Sequence, residues 1–139
     1  MDPTDIADQL EALTGAGDDF VARAYELTEA WVAAGAGVEA VEPVLRFMEA
    51  HASSDFGAPG PLVHFVERFY GAGYLKALIA SLGRRPTAHT AWMVNRVLNG
   101  TTVPEERARL VEVMERARLH PAADAEAVAA LTGFLELDA

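Results

Sequence analysis

Hydrophobic positions along this chain recur every three or four residues, and no long run alternates apolar with polar. Ile6, Leu10 and Leu13 make one stripe, and Phe20, Ala24, Leu27 and Trp31 make a second, widened by Val21, Tyr25 and Val32. Such spacing gathers side chains on one face of a helix, so it predicts a short helix over 4–13. Asp2 or Thr4 is placed to cap it, and Gly15 and Gly17 end it. A longer helix then opens at Asp18-Asp19 and closes at Gly35 and Gly37.

Val41, Val44, Leu45 and Met48 predict a third helix. Pro43 lacks a backbone donor and clashes one turn back, so the helix is expected to start at Val41–Glu42 after a loose turn. Pro59-Gly60-Pro61 opens the fourth, because proline is pre-organised for the first helical position. Its inward residues are Leu62, Phe65, Val66 and Phe69. Gly71-Ala72-Gly73 leaves room only for a tight turn, and Leu75, Leu78, Ile79 and Leu82 line the next helix, with Gly83 as its expected C-cap. Pro86-Thr87 starts another, facing inward through Ala91, Val94, Val97 and Leu98.

Thr102-Val103-Pro104-Glu105 reads as a capping box ahead of a helix that buries Leu110, Met114 and Ala117. His120-Pro121 breaks it, and a last helix spans about Ala123 to Leu135. The expected fold is therefore all-α: about eight short helices in an irregular bundle or an α-solenoid-like, HEAT-like arrangement. A chain of 139 residues is expected to form one domain, burying roughly 68–70% of its unfolded surface.

Charge is what changes the picture. The formal net charge is −10, and residues 1–55 alone carry twelve acids against Arg23 and Arg46, a net of −10. Residues 56–100 hold five bases and one acid, a net of +4, and 101–139 hold four bases and eight acids, a net of −4. This balance argues against non-specific nucleic-acid binding, which depends on neutralising phosphates. An acidic first half beside a weakly basic centre can steer a basic partner, or can simply keep a solvated surface soluble.

Cysteine is absent, which excludes disulfides, thiolate metal sites and thiol nucleophiles. The acidic start, MDPTDIADQLEA, has no basic region or apolar run of a signal peptide, and no apolar run reaches the ~20 residues that span a bilayer. The expected location is the cytoplasm, without membrane contact. The oligomeric state is open.

Candidate chemistry is sparse. His64 and Glu67 sit one turn apart, yet bundle metal sites use such pairs in matched sets on facing helices, so a surface contact is the expectation. Thr87, His89 and Thr90 place hydroxyls near a base, but threonines at a helix start ordinarily cap it. No phosphate-binding glycine loop follows a strand. No catalytic residue, cofactor or metal is expected, and the chain reads as a non-enzyme.

Two surfaces are candidates for a partner. Asp18, Asp19, Glu26 and Glu29 form the acidic one, with Glu26 and Glu29 opposite the Phe20, Leu27 and Trp31 stripe. Arg85, His89, Trp92 and Arg96 form the other, about 100° away from the apolar face of their helix. Trp and Arg on an accessible face are typical interface anchors, although Trp92 as a core residue is the competing reading.

The stretches PGPLVHFVERF and RRPTAHTAWMVNRVLNG resemble those of small helical immunity proteins found beside bacterial polymorphic or contact-dependent toxins. The resemblance covers about residues 56–100, a third of the chain. It implies a protein that binds a cognate toxin domain, such as a nuclease, and blocks it by occlusion. An α-helical adaptor holding a peptide or partner helix is the alternative. Binding residues differ among such proteins, so the resemblance assigns none here.

Overall fold

The structure is a computed structural model that describes residues 1–138. It is all-helical, with eight α-helices and no strand among the described residues. The helices are α1 (Pro3–Ala12), α2 (Phe20–Ala33), α3 (Val41–Ala50), α4 (Pro61–Glu67), α5 (Tyr74–Arg84), α6 (Ala88–Asn99), α7 (Pro104–Arg118) and α8 (Ala125–Asp138). Two compact units divide the chain, Met1–Ala77 and Leu78–Ala139, and the boundary falls inside α5.

In the first unit, α1 packs on α3, α2 on α4, and α3 touches α4. Helix α1 starts where Asp2 accepts a hydrogen bond from the Thr4 N–H at 2.8 Å and Pro3 takes the first helical position. Ile6 and Leu10 are fully buried, as their stripe requires, whereas Leu13 lies past the helix end and is half-buried. Helix α3 buries Val41, Val44, Leu45 and Met48, and its start at Val41 places Pro43 in the first turn, where no intrahelical donor is missed.

Helix α2 departs from expectation at both its start and its face. Asp18 and Asp19 lie in a 3₁₀ turn, Gly17–Asp19, and neither side chain caps α2. Asp19 has helical dihedrals (φ −84°, ψ −1°) instead of the extended ones from which a capping side chain reaches back to the next amides. The buried residues are Ala24, Thr28 and Trp31, with Phe20 and Leu27 only half-buried. Thr28 tolerates burial because its hydroxyl donates to the Tyr25 carbonyl at 3.1 Å.

Aromatic rings hold this unit's interior. Phe20, Phe47 and Phe56 form a triangle with ring centroids 5.8 to 6.1 Å apart. Trp31 meets Phe65 edge-on at 5.2 Å, and Phe65 meets Phe69 at 5.6 Å. Such pairs add to area burial by about 0.5–1.5 kcal/mol each. The turn into α4 depends on glycine: Gly60 has φ +88°, and a Cβ there would come within 1.9 Å of the Phe56 carbonyl oxygen.

In the second unit, α6 packs on α8 and α7, and α7 on α8. Buried Leu82, Met93, Leu98, Leu110, Met114 and Leu131 supply much of its interior. Thr87 caps α6 by accepting from the Thr90 N–H at 3.1 Å, while the Thr87 N–H donates to the Thr90 hydroxyl at 3.0 Å. The two bonds together make a capping box. The one expected at Thr102 does not form, because Val103 occupies the cap position and makes no side-chain bond, and Pro104 begins α7. Thr101 turns inward instead, donating to the Val97 carbonyl at 2.7 Å.

Arg107 closes the end of α6. Its Nη1 donates to the Leu98 and Thr101 carbonyls at 2.7 and 2.9 Å, and Nη2 donates to Asp138 at 2.5 Å. A guanidinium suits this place because the last helical carbonyls lack amide partners and carry the negative end of the helix dipole. Gly83 is not a C-cap, since α5 continues through Arg84. The stop comes from Pro86, which disfavours helical dihedrals in the residue before it.

Candidate functional site

The acidic candidates sit where solvent can reach them. Asp18, Asp19, Glu26 and Glu29 are all exposed, and Glu26 and Glu29 lie on the outward side of α2, away from Ala24, Thr28 and Trp31. Glu29 also borders a hollow of about 350 Å³ between α2 and α4, together with Tyr25, Val32, His64 and Arg68. Tyr25 and Val32 are 43% and 37% exposed, so this hollow combines an apolar wall with charges of both signs. The Nδ1 of His64 lies 3.8 Å from Glu67 Oε1, at the edge of a surface ion pair.

The second set of candidates is on α6 and just before it. Arg96 stands over the Trp92 ring, 5.5 Å from its centroid, in a cation–π arrangement. Arg85, His89, Trp92 and Arg96 are all half-buried. Trp92 is thus neither a core residue nor a protruding one. Thr87 and Thr90 are fully buried and engaged in the capping box, so they serve the helix start. No cluster of three or more potential ligands able to hold a metal occurs among the described residues.

A larger hollow, about 420 Å³, lies between α1 and α3, where the stripe of no single helix points to it. Pro3, Ala7 and Glu11 line it from one face of α1, and Pro43, Phe47 and Ala50 from one face of α3. Glu39 and Glu42 complete its rim, with Arg46 as the base. Arg46 is held by Glu42 at 2.8 Å, and Glu11 meets His51 at 3.1 Å. Glu39 accepts from the Gly37 N–H at 2.8 Å and lies 3.3 Å from the Met1 ammonium. The backbone bonds from Gly37 and from its own amide hold the Glu39 carboxyl below the usual carboxylate range.

Each face alone carries a signal. Positions 3, 7 and 11 repeat every four residues, as do 43, 47 and (nearly) 50, and the small side chains of Ala7 and Ala50 leave the space between them unfilled. What the local pattern lacks is the pairing of α1 with α3, which are not consecutive along the chain.

The electrostatics of the two units differ sharply. Residues 1–77 carry thirteen acids and four bases, a net of −9, and residues 78–139 carry eight acids and seven bases, a net of −1. Almost all the excess negative charge therefore belongs to the unit bearing Asp18, Asp19, Glu26, Glu29 and the α1–α3 hollow. No helix among the described residues is long and apolar enough to cross a membrane. No family model matches the chain, and no curated protein or solved structure does either.

Proposed function

We propose that this chain is a non-catalytic, immunity-type protein that binds a basic toxin domain through its acidic first unit and blocks it by occlusion. The observation that carries the reading is the charge partition, −9 in residues 1–77 against −1 in residues 78–139. A field concentrated on one unit accelerates encounter with a positive surface and discourages partners of like charge. A nuclease cleft is such a surface, because it must neutralise phosphates. The partner class is therefore a basic protein domain acting in the cytoplasm, with no nucleic acid, membrane or cofactor required by this chain.

A second reading, an adaptor for a peptide or partner helix, is favoured by the α1–α3 hollow and its one-sided helix faces. The two readings separate by experiment. The product of the adjacent gene is purified and mixed with this chain, and complex formation and its salt dependence are measured alongside growth on co-expression. A stoichiometric complex that weakens with salt, together with rescue of growth, supports the inhibitor. Absence of both overturns it.

A further inference from the structure

The α1–α3 hollow has a shape and a rim that select one kind of occupant. Its lining runs from Pro3 to Glu11 on α1 and from Glu42 to Ala50 on α3, about 12 Å along each helix at 1.5 Å per residue. That is two turns of a helix, long enough for a segment and longer than a single side chain requires. The walls include Pro3, Ala7, Pro43, Phe47 and Ala50, which offer apolar surface, with Thr4 adding an uncharged hydroxyl to the lining. The lining acids Glu11, Glu39 and Glu42 outnumber Arg46, leaving a net of −2 on the lining. The pairs that occupy these acids are solvent-exposed and exchangeable, with Glu11 and Glu42 side chains 56% and 58% exposed.

We infer that this groove is the docking site for a basic amphipathic segment of the partner protein, with an apolar side chain seated against Ala7 and Ala50 and lysine or arginine side chains on Glu11 and Glu39. An acidic segment would meet like charge on both edges, and an uncharged one would leave the rim carboxylates facing apolar surface. The inference rests on the reading that this chain binds a basic protein, and it locates that contact on α1 and α3, away from Glu26 and Glu29.

The test uses the full chain and a fluorescein-labelled amphipathic peptide of leucine and lysine, with a leucine–glutamate peptide as its counterpart. Anisotropy titration is expected to show binding of the first and none of the second. Ala50→Trp, which fills the groove without changing charge, and Glu11→Lys, at an exposed position, should each weaken binding by about tenfold. At physiological salt, where charges outside the groove are screened, Glu26→Lys with Glu29→Lys should weaken peptide binding by less than about threefold. Thermal unfolding of each variant checks that the fold is retained, and the two groove variants act through different properties, so neither depends on the other. Equal loss in the α2 variant, an unchanged affinity in both groove variants, or no binding of the leucine–lysine peptide would overturn the groove. So would a concentration-dependent dimer abolished by Ala50→Trp, which would assign the groove to a second copy. If the peptide fails while the adjacent gene product still binds, the groove is wrong and the inhibitor reading survives; if that product also fails, both fall.

Discussion

The Trp31 indole N–H donates to Gln9 Oε1 across 2.7 Å, joining the last turn of α2 to α1. Trp31 is 1% exposed, so this bond satisfies a donor that water does not reach. Gln9→Ala should therefore destabilise the protein by about 1–3 kcal/mol, the range for leaving a buried donor without its partner. Urea unfolding followed by tryptophan fluorescence measures the change, and an unaltered midpoint would mean the indole finds another acceptor.

Phe65 is the centre of the same interior, 2% exposed and in ring contact with both Trp31 and Phe69. Phe65→Ala should cost roughly 3–5 kcal/mol, combining lost transfer energy with the cavity left behind. Denaturant titration of the purified variant gives the number directly. A loss under about 1 kcal/mol would show that the neighbouring rings collapse into the space.

The capping box at Thr87 carries the start of α6. Replacing Thr87 by alanine should lower stability by about 0.5–2 kcal/mol. Thr102→Ala should change it by less than about 0.5 kcal/mol, since Thr102 is exposed and caps nothing. Paired melting curves of the two variants test the assignment, and the reverse order of effects would contradict it.

Trp92 tests the rival surface. If the acidic unit makes the contact, Trp92→Ala costs some stability through lost half-buried area and the Arg96 contact, yet leaves the partner's dissociation rate within about twofold. Surface plasmon resonance against the adjacent gene product measures this. A dissociation rate raised about a hundredfold would make Trp92 an interface anchor and move the binding surface to α6.

Much of the fold was legible because helices announce their buried face locally. Ile6 with Leu10, Val41 with Leu45 and Met48, and Leu62 with Phe65 and Val66 are buried where their spacing puts them. The proline entry at Pro61 and the start of α3 ahead of Pro43 were legible for the same reason, since each rests on geometry within one turn. Expectation failed where neighbours along the chain compete. Thr102 is the expected cap, but Thr101 turns inward to the Val97 carbonyl and Val103 takes the cap position. Gly83 looks like a terminator, but a single glycine costs a helix only about 1 kcal/mol, and α5 runs on to Arg84. Buried Phe56 and Tyr74, adjoining glycine-rich turns, gave no periodic signal at all. Of the candidate surfaces, exposure of Glu26 and Glu29 followed from the helical stripe opposite them. The α1–α3 groove did not, because it depends on which helix packs against which.

Exposed acids of the first unit are proposed to draw in a basic partner. Charges of this kind act on association and its salt dependence more than on the lifetime of the complex. Reversing Glu26 and Glu29 to lysine on the exposed side of α2 should leave stability within about 0.5 kcal/mol. The decisive quantity is the association rate constant of wild type and of this double variant with the adjacent gene product, each at low and at physiological salt. The variant should associate more slowly, by about tenfold at low salt, with a flatter salt dependence and an unchanged dissociation rate. Association rates that coincide at both salt concentrations would contradict electrostatic capture by the first unit.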